Sequence, residues 1–555
     1  MKNMNQYEKA MLFSRKEKSL PEKLLRIPRE ELFLECDTLL EDSQRIQIQI
    51  LMEIVDRAQM SAYGKAHKFN EVNDIESWQQ KIPISTYQDY SPYIQAEMNG
   101  TEHQLYDAAT EVYILTTGST GKAKYFMESA AGSAAKLLVM AMRGMYMSQL
   151  LPVTRDMEAK NLTISNYAQV GKSSDGKSIL RASGQTARNL RKKTGTMNII
   201  PENFWEVPNI DPETREYMIG VLALAEPRFS KVFCNNLYSF GRVLDQIKNN
   251  SRQMIEDIRI GCFSCPVDKE IEDSLNKLVF KNSDRANVLE GFLRDRESLI
   301  ESKEDIHKIW PQLQMVSCWL SGTVGRDARE VLRRLPSKIR CFDMGYGASE
   351  GKLNIPTALA EPAGFAALFS VFYEFLPLDK KETPLCMWEV EIGKCYELII
   401  TTYSGLYRYN MLDIVRIVGF IGKTPKFVFC GKSTDCVEIK GNKIYGYQIS
   451  DLIYEIECTQ GYSFDLVQVF VEKEHINFII NSKDKFDKKE FKSILDEKLA
   501  FFWKIKCKKI YIVDDTYKMR EFDKRIRKDR GACGIKLPVI IEQIPDLNNI
   551  IGIIT

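Results

Sequence analysis

The chain has 555 residues, of which 44% are hydrophobic and 27% charged, a composition typical of a globular protein with more than one domain. Lysine and arginine total 77 against 75 aspartates and glutamates, so the sequence lacks the basic excess that is usual for nucleic-acid binding. No uninterrupted apolar run approaches the length of a membrane span, and residues 1–30 lack the apolar stretch of a signal peptide. These features predict a cytoplasmic protein with neither nucleic acid nor membrane among its partners.

Cysteine and histidine usage argues against a metal centre or a nucleophilic triad. The 13 cysteines are scattered, and Cys262 and Cys265 form a C-x-x-C pair without a second pair at zinc-ribbon spacing. The four histidines are far apart in sequence, and no two share a helix-face spacing. We therefore expect reduced, ordinary thiols and structural or surface histidines.

The first strong pattern in chain order is an apolar stripe between residues 40 and 61. Ile46, Ile50 and Ile54 recur at helical spacing there, which predicts a helix. The helix is expected to end near Tyr63-Gly64, with the glycine as a cap. Ile82–Tyr87 follows as an extended segment entering a helix or turn, because the residue before a proline is pushed away from the helical region.

A polar loop follows, between two short apolar runs that predict strands, Val112–Leu115 and Tyr125–Met127. Residues 116–124 contain four hydroxyl side chains, two glycines, two lysines and no acid. Glycines allow backbone N–H groups to approach a ligand, so these donors suit a polyphosphate. The loop is not a Walker A motif, because Thr116 replaces that motif's first glycine and Ala123 follows Lys122. An ordinary strand connection is the alternative.

The region from residue 129 to residue 344 alternates helical patterns with short apolar runs. Residues 129–151 predict a buried helix, residues 153–200 a solvated loop region, and residues 211–260 and 270–309 further helices. Strands are expected at Val232–Cys234, Met315–Leu320 and Ile339–Met344. Because strands alternate with helices, the pattern predicts a largely parallel sheet covered by helices.

The turn after the strand that ends at Met344 is a candidate ligand site. It contains Tyr346, Ser349 and Glu350 between glycines, and ligands of open α/β sheets bind beyond the carboxyl ends of strands. A structural glycine-rich turn is the alternative. The following β-rich stretch predicts strands at Ala367–Phe372, Tyr396–Thr402 and Ile414–Phe420.

Asp413 directly precedes the last of these strands. Its carboxylate can accept hydrogen bonds from ligand hydroxyls, and a turn-capping role is equally consistent with its position.

A domain boundary is predicted near residues 430–435, dividing the chain into 1–430 and 431–555. The second part predicts a hairpin around Lys473-Glu474, a helix over 487–500 with Asp487 as N-cap in a variant capping box, and a strand over 509–513. The charged run from Lys518 to Arg530 mixes basic and acidic residues and is interpreted as a mobile polar segment. Together these elements predict a compact α+β module.

Separate stretches resemble one superfamily. Residues 116–124 resemble the phosphate loop of adenylate-forming enzymes, which include acyl-CoA synthetases, peptide-synthetase adenylation domains and luciferases. Residues 346–350 look like the superfamily's Tyr-Gly-x-Thr/Ser-Glu motif, Asp413 lies where its ribose-binding aspartate belongs, and residues 431–444 resemble its interdomain hinge.

Finer features resemble the auxin-responsive-promoter family of acyl acid amido synthetases. They are Ala62–His67, Ile82–Tyr87 and Leu406–Tyr409, and the likeness runs from about residue 51 to residue 538. Two departures stand out. Thr117 replaces the usual serine, and Val539 replaces an arginine that often follows the family's Lys-x-Pro stretch, here Lys536-Leu537-Pro538.

The resemblance implies an α/β fold. A large N-terminal adenylate-forming-type domain would have mixed β-sheets flanked by helices and a β-rich subdomain, and a small mobile α+β domain would follow it. The implied cofactors are ATP and Mg²⁺. The implied phosphate-binding residues are Thr116, Thr117, Gly118, Ser119, Thr120, Gly121 and Lys122.

The other implied roles belong to the later motifs. Tyr346 would stack on adenine, with Gly347 and Ser349 beside the nucleotide, and Asp413 would hold the ribose. Glu350 would ligate Mg²⁺, and Glu350 and Lys536 would be the catalytic residues.

The implied reaction joins a carboxylic acid to the amine of an amino acid through an acyl adenylate. Rotation of the C-terminal domain about residues 431–436 would rebuild the site for amine attack. Two alternatives stay open at this point. One is an adenylate-forming acid–thiol ligase that uses coenzyme A or a carrier protein, and the other is a non-catalytic relative that binds nucleotide.

Overall fold

A computed structural model describes most of the chain. The described residues are 18–34, 36–117, 123–150, 160–164, 169–181, 198–201, 204–205, 210–265, 275, 278–378, 383–482, 484–529, 536–541 and 550–555. Among them, no helix is both long enough and apolar enough to cross a membrane.

The helices lie mainly at the N-terminus, around the central part of the chain and in the C-terminal part. They are α1 (Leu20–Leu24), α2 (Arg29–Leu34), α3 (Cys36–Glu41), α4 (Ser43–Ala58), α5 (Ala62–Ala66), α6 (Ile75–Lys81), α7 (Tyr87–Met98), α8 (Ala130–Leu150), α9 (Pro212–Ala225), α10 (Tyr238–Ile260), α11 (Ser283–Leu293), α12 (Asp305–Ile309), α13 (Thr323–Arg333), α14 (Gly446–Gln460), α15 (Lys488–Trp503) and α16 (Asp515–Asp529).

The strands form five sheets in the described part of the chain. They are β1 (Thr110–Thr117), β2 (Ala123–Ser129), β3 (Lys160–Ile164), β4 (Gln169–Lys172), β5 (Ser178–Arg181), β6 (Phe229–Cys234), β7 (Met315–Cys318), β8 (Arg340–Asp343), β9 (Asn354–Pro356), β10 (Gly364–Ala366), β11 (Val371–Pro377), β12 (Leu385–Cys386), β13 (Cys395–Thr402), β14 (Tyr409–Ile421), β15 (Thr424–Lys432), β16 (Cys436–Ile439), β17 (Asn442–Tyr445), β18 (Leu466–Glu472), β19 (His475–Asn481), β20 (Cys507–Val513) and β21 (Ile550–Ile554).

The parallel sheet has the order β3-β6-β7-β8, and every neighbouring pair is parallel. Its apolar residues pack with α9, α10, α11 and α13 in one hydrophobic core. All four residues of β7 are buried, as is typical of a strand covered on both faces. The predicted parallel sheet covered by helices is confirmed.

A seven-stranded antiparallel sheet, β12-β11-β13-β14-β15-β10-β9, forms the β-rich part. The strand predicted over Ala367–Phe372 is wrong, because β10 ends at Ala366 and β11 begins at Val371. The amide of Gln47 on α4 donates hydrogen bonds to the carbonyls of Leu368 (2.8 Å) and Val371 (2.9 Å). A buried side chain from a distant helix therefore supplies the donors that a neighbouring strand would otherwise provide.

Two smaller sheets are mixed in direction. The first, β2-β1-β5-β4, contains the β1–β2 hairpin, in which Thr116 pairs with Lys124. The second, β18-β19-β20-β21, packs against α14 and α15 in a separate hydrophobic core. The predicted hairpin turns through Lys473 and Glu474, both with positive φ. Asp487 caps α15 as expected.

The predicted glycine cap at Tyr63-Gly64 is wrong. Both residues lie inside α5, and α4 ends earlier, at Ala58. A Cβ atom on Gly64 would come within 2.1 Å of the Ala58 carbonyl oxygen, so glycine is needed for close backbone approach rather than for a left-handed conformation.

The interpretation of Lys518–Arg530 as a mobile polar segment is also wrong for its described part. Residues 515–529 form α16, and Lys518 is 3% exposed. Its ammonium lies 2.9 Å from Asp327 and 2.6 Å from Glu330 on α13. Asp327 and Glu330 are far from Lys518 in sequence. The charge pattern of residues 518–530 therefore did not indicate that this segment packs against α13.

Arg408, within the Leu406–Tyr409 motif, has a structural role. Its guanidinium lies 2.9 Å from Glu374 and donates hydrogen bonds to the carbonyls of Gln79 and Ile82, with both charged side chains at most 4% exposed. The backbone N–H of Ser85 in turn donates to the Arg408 carbonyl. The Leu406–Tyr409 and Ile82–Tyr87 motifs are thus two halves of one buried hydrogen-bond network.

We expect the substitution Arg408→Met to lower the free energy of unfolding by about 3–5 kcal/mol, because it leaves the buried Glu374 carboxylate without its cation. Chemical denaturation followed by circular dichroism measures this loss. Arg45→Met is the matched control, since the Arg45–Asp42 pair is exposed and worth about 1 kcal/mol or less. Equal losses in the two variants would contradict the structural role.

Candidate active site

The candidate site begins where the parallel strands β7 and β8 end. Asp343, the last residue of β8, accepts hydrogen bonds from the backbone N–H groups of Leu320 (2.7 Å) and Gly345 (2.6 Å). Burial raises the pKa of Asp343 to about 7, against the opposing effect of these hydrogen bonds. The carboxylate therefore joins the two loops that follow β7 and β8, at the sheet edge where ligands of such sheets bind.

Tyr346 lies in the loop after β8 and is buried. Its ring stacks on Phe429 with centroids 5.1 Å apart, and its hydroxyl donates a hydrogen bond to Asp413 Oδ2 (2.5 Å). Burial and the Asp413 charge raise the pKa of Tyr346 well above its ordinary value. The hydroxyl is therefore a neutral donor, and it fixes both Tyr346 and Asp413.

Asp413 lies inside β14, whereas the sequence placed it just before a strand. Its side chain is 3% exposed, and its Oδ1 atom lies 2.5 Å from the ammonium of Lys432 at the end of β15. Burial lowers the pKa of Lys432, but the neighbouring Asp413 carboxylate outweighs this effect, so the pKa of this lysine is raised. Leu412 has a positive φ of 54°, so the chain is kinked just before the aspartate.

Glu350 is the second carboxylate of the site. Burial raises its pKa and the charge of Asp413 adds to the effect, while Lys432 opposes both. Burial raises the pKa of the Tyr409 hydroxyl, and the charge of Glu350 adds to this effect. Lys432 pairs directly with Asp413 and its charge also acts on Glu350, so the two acids suit a ligand that brings further positive charge.

Lys536, the weakest of the sequence assignments, lies at the same place. Its ammonium is 5.0 Å from the ring centroid of Trp319 and 5.1 Å from that of Phe429. The side chain of Lys536 is exposed, and the charges of Asp413 and Lys432 act on it in opposite directions. The C-terminal part of the chain therefore contributes a cation to the candidate site.

The docking of the C-terminal part accounts for the position of Lys536. Besides the contacts of Lys518, Arg326 on α13 lies 2.7 Å from Glu457, and Arg333 lies 2.6 Å from Asp465. Phe522 of α16 packs on Tyr238 with centroids 4.7 Å apart. These contacts hold the C-terminal elements against α13 and α10.

The predicted phosphate loop is described only at its ends. Thr116 and Lys124 are paired across the β1–β2 hairpin, as are the backbones of Thr117 and Ala123. Gly118, Ser119, Thr120, Gly121 and Lys122 lie outside the described residues. The Lys124 ammonium lies 5.3 Å from the Tyr87 ring centroid.

Gly347 and Ser349 complete the loop after β8. The Ser349 carbonyl accepts a hydrogen bond from the Lys136 ammonium on α8 (2.7 Å). The structure thus brings Tyr346, Gly347, Ser349 and Glu350 together with Asp413 and Lys536.

Several residues of the site were missed by the sequence analysis. Lys432 lies in the stretch interpreted only as a hinge, and β15 continues through it, two residues beyond the predicted boundary. Trp319 lies in the predicted strand Met315–Leu320, and Phe429 lies in another apolar run. Neither residue has a feature in the sequence that marks it as part of a ligand site. A cation beside a glycine, as in Gly431-Lys432, was the one available clue.

Comparisons with known proteins agree with this geometry. The model of the GH3 family N-terminal domain matches residues 35–330, and that of the GH3 family central domain matches residues 365–432. Jasmonoyl–L-amino acid synthetase GH3.5 of Oryza sativa subsp. japonica is 25% identical over 432 residues, covering 73% of each chain. Indole-3-acetic acid-amido synthetase GH3.2 of Arabidopsis thaliana is 25% identical over 425 residues, covering 72% of this chain and 75% of the relative.

Solved structures match the fold over nearly the whole chain. The acyl acid amido synthetase AtGH3.15 in complex with 2,4-DB superposes with a TM-score of 0.80 at 17% identity, covering 98% of each chain. A 2-hydroxyisobutyryl-CoA ligase in its postadenylation state gives a TM-score of 0.50 at 9% identity, covering 98% of this chain and 97% of the other.

The fold and the matched domains define a ligase of the adenylate-forming superfamily. Within that superfamily the chain belongs to the GH3 family. The expected family and fold class are confirmed, and the protein is an enzyme of the acyl acid amido synthetase type.

Proposed function

We propose that this protein uses ATP to activate a carboxylic acid as an acyl adenylate and then transfers the acyl group to the amine of an amino acid. The observation that carries the proposal is the convergence of Glu350, Asp413, Lys432 and Lys536 beyond the end of β8. Two carboxylates and two ammonium groups suit a ligand with hydroxyls, phosphates and a bound cation.

In the first step a carboxylate oxygen of the acid attacks the α-phosphorus of ATP, and the bond to pyrophosphate breaks. Lys536 stabilises the charge that develops on the α-phosphate, and the loop 116–122 holds the β- and γ-phosphates. Tyr346 and Asp413 hold the nucleoside, through the ring and the carboxylate respectively. Catalysis comes from positioning and charge stabilisation, without a covalent enzyme intermediate.

Glu350 fits a magnesium ion bound with the nucleotide. Mg²⁺ prefers oxygen ligands and is often held by one or two carboxylates together with phosphate oxygens. No cluster of three metal-ligating side chains occurs in the described part of the chain, so phosphate oxygens and water would complete the coordination. When bound, the ion would neutralise phosphate charge. It would also supply a cation to the Glu350 carboxylate, whose pKa burial raises.

In the second step the amine nitrogen attacks the acyl carbonyl, the C–O bond to AMP breaks, and the amine releases a proton. We assign residues 431–555 to a mobile C-terminal domain that turns about the segment after β15, where residues 433–435 form a turn. The turn would remove Lys536 and admit the amine. The described cysteines are free thiols, which suits the reducing cytoplasm.

One screen tests the proposed function. The protein is incubated with ATP, Mg²⁺ and a matrix of carboxylic acids and amino acids, and products are identified by mass spectrometry. We expect AMP, pyrophosphate and an amide. A thioester formed with coenzyme A but no amide would favour the acid–thiol ligase, and ATP binding without pyrophosphate release across the matrix would favour a non-catalytic relative.

We expect Asp413→Asn to weaken ATP binding about ten- to a hundredfold. A carboxylate offers about four acceptor positions, of which Tyr346 and Lys432 occupy two, so two remain for the ribose hydroxyls. Loss of a charged acceptor costs about 1.5–3 kcal/mol. Isothermal titration calorimetry with ATP measures the change. Asp451→Asn, at an exposed carboxylate paired with Arg416, is the control. Unchanged affinity in a folded Asp413→Asn variant would show that Asp413 is only structural.

A further inference from the structure

Lys518 on α16 is a buried cation that contacts two parts of the chain at once. Its ammonium lies 2.9 Å from the Asp327 carboxylate and 2.6 Å from that of Glu330, both on α13. It also donates a hydrogen bond to the Asp465 carbonyl (3.0 Å) and lies 4.6 Å from the ring centroid of Tyr238. Lys518 therefore joins α13 to the residue that directly precedes β18 in the C-terminal part of the chain.

The charged groups of this contact are almost completely buried. The side chains of Lys518, Asp327 and Glu330 are at most 8% exposed. By contrast, Arg333, which pairs with Asp465 in the same interface, is 50% exposed. Burial lowers the pKa of Lys518, but the two carboxylates outweigh this effect and raise it. Removal of the ammonium would leave two buried carboxylates without their cation, which is strongly unfavourable.

The contact is linked to Lys536 through β18. Asp465, whose carbonyl accepts the hydrogen bond from Lys518, is followed directly by this strand. Within β18, Val469 exchanges backbone hydrogen bonds of 2.7 and 2.9 Å with residues 539–541. The segment that begins at Lys536 is therefore fixed to β18, and Lys518 attaches β18 to α13.

Lys536 meets the loop that leads into α13. Its ammonium lies 5.0 Å from the ring centroid of Trp319, in the loop between β7 and α13. The N–H of the next residue, Leu320, donates to Asp343, so this loop is fixed at the sheet edge. Because the side chain of Lys536 is exposed, its cation–π contact is weak. The buried contact of Lys518 is thus the stronger of these two attachments.

We propose that Lys518 is a positioning residue for adenylate formation: its buried ion pairs with α13 keep the C-terminal domain in the orientation that places Lys536 at the nucleotide site. Lys518 acts through Lys536 and not on the reacting atoms. The inference rests on the proposed function. Once the domain turns about the segment after β15, Asp327 and Glu330 would be hydrated, so loss of the ammonium penalises only the adenylating orientation.

Lys518→Met is tested in both half-reactions, with an acid and an amino acid that the screen identifies. ATP–pyrophosphate exchange should fall about ten- to a hundredfold, mainly through kcat, because fewer molecules hold the adenylating orientation while the nucleotide residues are unchanged. Single-turnover amide formation from a synthetic acyl adenylate should stay within about twofold of the wild type. Lys524→Met, at an exposed lysine of the same helix, is the matched control and should change neither rate. An equal loss in both half-reactions, or unchanged pyrophosphate exchange, would overturn the inference.

Glu330→Gln gives a second test that a general loss of stability does not imitate. Alone, it removes one partner of Lys518 and should lower pyrophosphate exchange by less than Lys518→Met does. In the double variant it removes an unpaired buried carboxylate, so the rate should rise about three- to tenfold above that of Lys518→Met. A further fall in the double variant would overturn the inference. If Lys518→Met does not fold, Glu330→Gln alone carries the comparison of half-reactions, and equal losses there would overturn it.

Hydrogen–deuterium exchange separates this inference from the proposed function, because it needs no substrate. In Lys518→Met the backbone amides of α13 and α16 should exchange faster than in the wild type, with those of β11 and β13 unchanged. Unchanged protection of both helices would overturn the inference and leave the proposed function intact. A wild type that releases no pyrophosphate with any acid of the screen would refute the proposed function and the role of Lys518 together.

Discussion

Glu350→Gln should reduce acid-dependent pyrophosphate release by about two orders of magnitude or more. The substitution keeps the shape of the side chain but removes the charge that we assign to Mg²⁺. Loss of one well-positioned electrostatic group typically costs about 10²–10³ in rate. The site makes the effect specific, because burial raises the pKa of Glu350, the charge of Asp413 adds to this effect and Lys432 opposes it, so the carboxylate gains from a bound cation.

The measurement is initial-rate pyrophosphate release over a range of Mg²⁺ concentrations. Glu361→Gln is the matched control, because Glu361 is a partly exposed glutamate paired with Lys426 away from the site. The metal role further predicts that Glu350→Gln requires more Mg²⁺ for half-maximal rate. A folded variant with near-full activity at low Mg²⁺ would exclude it.

The local elements of this fold were readable from the sequence. Periodicity gave the central helices α8 and α10 and the buried strands β6, β7 and β8, because each pattern depends on residues only a few positions apart. The Tyr346–Glu350 motif was placed correctly at a strand end for the same reason. The errors arose where a distant side chain decides local structure, as Gln47 does for the turn at residues 368–370.

The candidate site was only partly readable. Its motif residues were found because their spacing resembles a known family, whereas Lys432 acquires meaning only from its ion pair with Asp413 on the neighbouring strand β14. Lys518 shows the same limit, since a lysine in a charged run is usually solvated, yet its partners on α13 bury it. Burial and pairing of charges depend on tertiary contacts, which composition and spacing do not specify.

Lys536→Ala should separate the two half-reactions. In the described orientation the Lys536 ammonium lies beside Trp319 and Phe429, close enough to Asp413 and Lys432 to be affected by their charges. The contacts of Lys518 with α13 hold the C-terminal elements in this position. We identify this arrangement with the adenylating orientation, in which a lysine stabilises charge on the α-phosphate.

The expected loss in adenylate formation is about a hundredfold or more, as for other electrostatic groups aimed at a transition state. Amide formation should be little affected, because the C-terminal domain would have turned away before the amine attacks. Two assays on one variant test this, namely ATP–pyrophosphate exchange and single-turnover amide formation from a synthetic acyl adenylate. Lys506→Ala, at an exposed lysine of the same domain, controls for nonspecific effects. Equal losses in both assays would assign Lys536 to both steps, and no loss in either would show that its cation–π contacts with Trp319 and Phe429 are only structural.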